Sequence, residues 1–232
     1  MKRTTTLTGL CALLLTLTNP AIAQQSVAER VAALKVSLAT SQAALKQYEW
    51  VETTVLSLKG EEKSRKLNRC YYGADGGVTR VPLAAAPPPQ KKRGLRGKIV
   101  ENKKEELADY MQQAVALVKT YVPPNPAKIQ AAKDAGKVTI EVIEPGKRAR
   151  VNFRDYEKPG DNLGVEVDLV SNRALGLEVA TWLENAQDAV KLGVRMGQLN
   201  DGTSYAAAIT LDAPAKKIQV AVENSGYRKM SN

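Results

Sequence analysis

The sequence predicts an α+β protein: one antiparallel sheet of about ten strands, wide enough that it must curl or split, covered by an N-terminal helix and a central helical insertion. Three observations predict it. Short runs in which aliphatic residues alternate with polar or small ones recur along most of the chain, separated by turn-forming residues. Two longer segments repeat their apolar residues at steps of three, four or seven, as one-sided helices do. The 232 residues are 44% apolar and 25% charged with a single Phe, so the core of a soluble globular fold must be mostly aliphatic.

The chain starts with an address. Met1-Lys2-Arg3 is basic, Leu7 to Leu17 is apolar, and Pro20 precedes Ala21-Ile22-Ala23, the small-x-small pattern of a cleavage site. Residues 1–23 therefore read as a signal peptide cut before Gln24. The apolar run is short of the roughly 20 residues of a spanning helix. Cys11 follows Leu10, where a lipobox has Gly or Ala, so lipidation is not expected. The mature chain, 24–232, reads as a single periplasmic or secreted domain. Only Cys70 survives cleavage, so no internal disulfide forms.

Ser26 can cap a helix with Val27, Val31, Leu34, Leu38, Leu45 and Tyr48 on one side and Lys35 and Lys46 left to solvent. From Trp50 three runs, Val51 to Val55, Leu67 to Tyr72 and Val78 to Leu83, form a meander with turns at Lys59-Gly60 and Ala74 to Gly77. Pro87-Pro88-Pro89 ends it, since proline cannot donate to a ladder. A basic strap, Gln90 to Lys104, leads into the second helix. Asn102 with Glu105 has the form of a capping box, and the turn Gly94 to Gly97 offers an earlier start. Pro123-Pro124 stops that helix, Asn125-Pro126 caps a short third one, and Gly136 closes it, so the insertion covers about 87–136. Seven more alternating runs follow, around Ile140, Val151, Val165, Leu177, Val194, Ile209 and Val220, separated by turns such as Glu144-Pro145-Gly146 and Asn200-Asp201-Gly202. Glu166, Asp168, Glu178, Gln219 and Glu223 fill their polar positions, which gives one wet and one apolar face.

The chain holds 34 Lys and Arg, 24 Asp and Glu and no His, for a net charge of +10. Without His there is no Ser-His-Asp or Cys-His relay and no His-based zinc site. The acidic pairs have structural reasons to exist: Glu61-Glu62 in a turn, Glu105-Glu106 opening a helix, Glu166 and Asp168 on a wet strand face. Asn200 to Thr203 is a hairpin turn before it is a calcium loop. The expectation is no enzyme, no metal and no cofactor. Lys2 and Arg3 carry two of the positive charges and the span 87–104 a net six, which leaves +2 for the rest. The body is nearly neutral and wears one basic strap.

The order of elements, together with Tyr48-Glu49-Trp50-Val51 entering the first strand, Leu199-Asn200-Asp201-Gly202-Thr203 in a late hairpin and Val222 to Arg228 closing the last strand, resembles the periplasmic LolA/LolB-like superfamily. The resemblance implies a half-open barrel with helices over an apolar hollow, and carriage of lipids or lipid-modified proteins. Carriers of that group use a strand arginine in cargo release. Arg69, Arg80, Arg148 and Arg154 all stand on strands here, and no motif chooses among them.

The candidate ligand-binding residues are Leu107, Met111, Val115, Val118 and Tyr121, with Tyr110, a helix face able to line a hollow for an acyl chain or simply to pack on the sheet. Lys91, Lys92, Arg93, Arg96 and Lys98 are the candidate contacts to an anionic membrane surface, each worth at most about 1 kcal/mol. Export and the lack of interleaved aromatics argue against nucleic acid. Trp182, out of phase with the aliphatic row, marks a binding surface or an aromatic clamped on neighbouring strands. Cys70 reads as a buried small hydrophobe. Two functions follow: a non-catalytic binder of a lipid, acyl chain or other amphiphile, or a cell-envelope module contacting anionic surfaces through the strap.

Overall fold

The computed structural model describes residues 27–83 and 95–230, with side chains from residue 33 in the first stretch and residue 102 in the second. The expected signal segment, Ser26 and the first part of the strap lie outside the described residues. The order is α1 (Val27–Leu45), β1 (Tyr48–Leu58), β2 (Glu61–Tyr72), β3 (Val78–Pro82), α2 (Leu95–Val118), α3 (Pro126–Asp134), β4 (Val138–Glu144), β5 (Arg148–Arg154), β6 (Asn162–Asp168), β7 (Arg173–Trp182), β8 (Ala189–Gln198), β9 (Ser204–Ala213), a 3-10 turn (Pro214–Lys216) and β10 (Ile218–Lys229).

All ten strands join one antiparallel sheet in the order β3-β2-β1-β10-β9-β8-β7-β6-β5-β4. The first and last strands of the chain pair in its interior, and β3 and β4 are its two edges, so the sheet does not close. The fold class expected from sequence is the one observed. The topology also explains the helical insertion. Leaving β3 and arriving at β4, the chain must cross from one edge to the other, and α2, with 24 residues, covers about 36 Å of that path. Crossing over one face places α2 and α3 against it, called the inner face below. There Ala114, Val118, Tyr121 and Ala132 pack with Phe153, Leu163, Val179, Leu192 and Leu211 into the main core.

Local chemistry sets most element ends. Asn125 takes extended angles and its Oδ1 accepts the Ala127 N–H at 2.9 Å, Pro126 opens α3, and Gly136 beyond it has φ +65. Asp201 Oδ1 accepts the Thr203 N–H in the β8–β9 hairpin. Several boundaries differ from expectation. Helix α2 starts at Leu95, the earlier of its two expected starts, so Asn102 and Glu105 are interior residues and form no capping box. Glu105 and Glu106 consequently do not open the helix. Tyr48 begins β1 instead of extending α1. Glu61 and Glu62 begin β2, where each meets a nearby cation, Lys63 and Arg65, so charge does not keep them out of the ladder.

Candidate functional site

Cross-strand register sorts the inner face into rows. One runs Phe153, Leu163, Val179, Leu192, Leu211 over β5 to β9, and every member is at most 8% exposed. The next row, two residues along each strand, runs Val151, Val165, Leu177, Val194, Ile209, Val222 over β5 to β10. All six are half-buried, and the row ends at Ile140 on edge strand β4, which is 58% exposed. The second row is a continuous aliphatic gutter beside the packed core. Sequence alternation marks both rows alike, so it names these residues without singling out the open row.

Helix α2 is held in place by two tyrosines. Tyr110 donates its hydroxyl to Asp188 Oδ1 at 2.8 Å, and Lys216 sits 5.4 Å from the centre of its ring. Three residues past the end of the helix, Tyr121 donates to Asp161 Oδ2 at 2.5 Å and shares a hydrogen bond with Thr181 Oγ1 at 2.9 Å. Asp161 also accepts backbone N–H groups of Tyr156, Glu157 and Lys158, so the buried carboxylate is fully engaged. Burial first, and then the bond to Asp161, push the Tyr121 phenol well above its ordinary value of 10. Glu106 adds an ion pair to Lys216 at 3.6 Å.

Helix α2 ends at Val118, short of the expected stop at Pro123, so of the residues singled out for its face Tyr121 lies in the following turn; Val118 is 6% exposed and Tyr121 fully buried, both within the core, and Met111 packs against it. Leu107 is half-buried and Val115 is 37% exposed. Helix α1 approaches β7 and β9 with Leu34, Leu38 and Leu45 half-buried, and Ser41 Oγ accepts the Ser204 N–H at 3.1 Å.

Past Val222 the gutter changes character. The same register continues to Thr54 on β1 and Lys66 on β2. One step further along these strands, Glu52, 7% exposed, accepts Arg80 Nε at 2.8 Å and Nη2 at 3.0 Å. Arg80 pairs across from Cys70 and shares the inner face, whereas Arg69, Arg148 and Arg154 stand on the outer one. An aromatic group lies further along β1, β9 and β10: Trp50 stacks on Tyr227 at 5.5 Å, Tyr227 touches Tyr205 and Tyr48, and Trp50 Nε1 donates to Asn224 Oδ1 at 3.0 Å. Cys70 has no exposed surface. Burial, followed by the Glu52 charge, raises its thiol above the ordinary range, as expected of a structural cysteine.

The remaining candidates separate from this site. Lys91, Lys92 and Arg93 lie outside the described residues, and Arg96 and Lys98 fall in the opening turns of α2. Trp182 is half-buried, clamped by Lys158 Nζ 4.6 Å from its ring centre and by the turn at Gly160, where an added Cβ would come within 3.2 Å of the ring. The outer face is charged: Arg150 lies 3.5 to 3.8 Å from Glu141, Glu166 and Glu178. Beside it, Gly164, Gly176 and Gly193 floor a shallow groove of about 370 Å³. Among the described residues no group of three or more acidic or Cys side chains is placed to hold a metal ion.

No family model matches the chain, and no curated protein matches it by sequence. Solved structures do. A LolA superfamily protein from Nitrosomonas europaea is similar at 7% identity and a TM-score of 0.38, over 86% of this chain and 94% of that one. A domain described as an outer membrane lipoprotein-sorting protein from Vibrio parahaemolyticus is similar at 11% identity and a TM-score of 0.39, over 87% and 94%. A DUF1329 family protein from Desulfovibrio piger is similar at 9% identity and a TM-score of 0.35, over 86% and 92%.

Proposed function

We propose that this chain is an exported, non-catalytic binding protein that holds the apolar part of an amphiphile, a lipid or the acyl chain of a lipidated protein, along the aliphatic gutter of its inner face. The observation that carries the reading is the contrast between two neighbouring rows. A sheet that only needed a core would bury both, yet the row from Val151 to Val222 keeps part of its surface open across six strands. Each methylene laid there gains about 0.8 kcal/mol when fully removed from water, and recognition is by shape and apolar area. Helix α2, pinned at Tyr110 and Tyr121, forms the fixed wall. Helix α1 forms the cover that gives way on loading and release. Export follows from the basic, apolar, small-x-small pattern of residues 1–23.

Extraction of the purified mature protein followed by lipid mass spectrometry tests this directly, together with titration of a fluorescent acyl probe. Co-purified lipid or saturable probe binding is expected. A protein that carries no lipid and binds no probe overturns the reading.

A further inference from the structure

We propose that the ligand lies in the gutter in one orientation, with an anionic head held at the β1–β2–β3 end by Lys66 and Arg80 and its chain running toward β5. The inference rests on the reading above and adds the head-group class. The two ends of the gutter differ chemically. At the β4 end the inner positions are Val138, Ile140 and Val142, all aliphatic. At the other end the row runs from Val222 into Thr54 and Lys66, the adjacent row brings Glu52 and Asn68, and Arg80, across from Cys70 in the row beyond, reaches back to Glu52 with its guanidinium.

Lys66 is exposed and has no acidic partner among the described residues. Arg80 gives Nε and Nη2 to Glu52, its Nη1 has no partner among the described residues, and half of its side chain is open to solvent. Asn68 stands two residues from Lys66 on the same face, about 7 Å away. An anion placed over Thr54 therefore meets an ammonium, an amide and one edge of a guanidinium. Charge-assisted bonds of this kind are about twice as strong as neutral ones.

Length agrees. From β10 to β5 the gutter crosses five strand spacings, about 24 Å. One leaflet of a bilayer is about 15 Å thick, half the hydrocarbon core. A single extended acyl chain fits with its head at β1 and β2 and its end still over aliphatic side chains. The reverse orientation would leave a charged head over Ile140 and Val142 and bring the chain end to Lys66.

The test compares three probes of equal chain length on the mature protein: a fatty acid, a lysophosphatidic acid and the uncharged fatty alcohol. The anionic probes are expected to bind at least tenfold more tightly than the alcohol. Lys66→Glu should abolish that preference while leaving alcohol binding unchanged. Because Arg80 also stabilises buried Glu52, its role is read from the paired variant Glu52→Gln with Arg80→Gln, which removes both charges together and should weaken the anionic probes only. A preference for both acids assigns recognition to charge alone, and a preference for the phosphate only assigns it to a phospholipid head. Equal binding of all three probes, or a preference that survives both variants, overturns the orientation while sparing the acyl-binding reading. If no probe binds, both fall.

Discussion

Two rows of aliphatic side chains lie side by side on one face of the same sheet, and only one is sealed. Leu163 and Val165 are two residues apart on β6, share a face and differ little in chemistry, yet Leu163 has no exposed surface and Val165 is half-open. The difference is the path of α2, whose Ala114 and Val118, with Tyr121 in the turn that follows, cover the first row and stop short of sealing the second. Burial on a sheet this wide is thus decided by where its covering helix is tied down. The ties are two Tyr–Asp bonds to loops at the ends of strands, Asp188 before β8 and Asp161 before β6.

The largest test of this contrast is a pair of truncations. Leu163→Ala should cost about 2 to 5 kcal/mol, the range for a fully buried leucine, and Val165→Ala about 1 kcal/mol because part of its surface already faces water. Denaturant midpoints at unchanged slope measure both, and equal losses would erase the distinction between the rows. Tyr121→Phe comes next. It leaves the buried Asp161 short of one donor and should cost about 1 to 3 kcal/mol. Loss of protection at α2 amide protons before global unfolding would show that the tie acts on the helix.

Val194→Thr should change stability by less than about 1 kcal/mol, since the new hydroxyl sits on a half-open row and can reach water, yet it should measurably weaken acyl-probe binding. A probe affinity unchanged by this substitution would place the chain elsewhere.

The smallest expected effect concerns the part-buried counterpart of the Tyr121 tie. Tyr48 donates to Asp201 Oδ2 at 2.5 Å, and this bond, followed by Thr203 and with Lys229 nearby, holds the Asp201 carboxyl well below its ordinary value of 3.8. The same bond raises the Tyr48 phenol above 10. A depressed carboxyl stabilises the fold above its unfolded value and loses that contribution as pH falls toward the folded one. A raised phenol stabilises below its unfolded value and loses the contribution as pH rises past it. Wild type should therefore exceed Asp201→Asn in thermal midpoint across the neutral range, with the gap narrowing below pH 3.8 and above pH 10. A gap independent of pH would show that the bond does not couple to folding.

Much of the sheet was legible because strand alternation and turn chemistry are local. Asn125-Pro126 and Asn200 to Thr203 carry their caps and turns within a few residues, and each forms as its composition implies. The site was legible only as a list of aliphatic residues. The helix face at Leu107 to Tyr121 drew attention because Met and Tyr suit a hollow, but Val118 and Tyr121 are consumed by packing, and the open surface belongs to the strands. Arg80 could not be told from Arg69, Arg148 and Arg154, since facing inward depends on pairing with β2 and on Glu52, 28 residues away.

The sequence by itself determined the number of strands, their alternation, their turns, the absence of histidine chemistry and the basic strap, all set by neighbours along the chain. Only the tertiary structure decided which aliphatic row is sealed, which arginine faces it and which end of the gutter is charged. Those depend on strand register and on where α2 is anchored, contacts between residues far apart in the chain that no local pattern encodes.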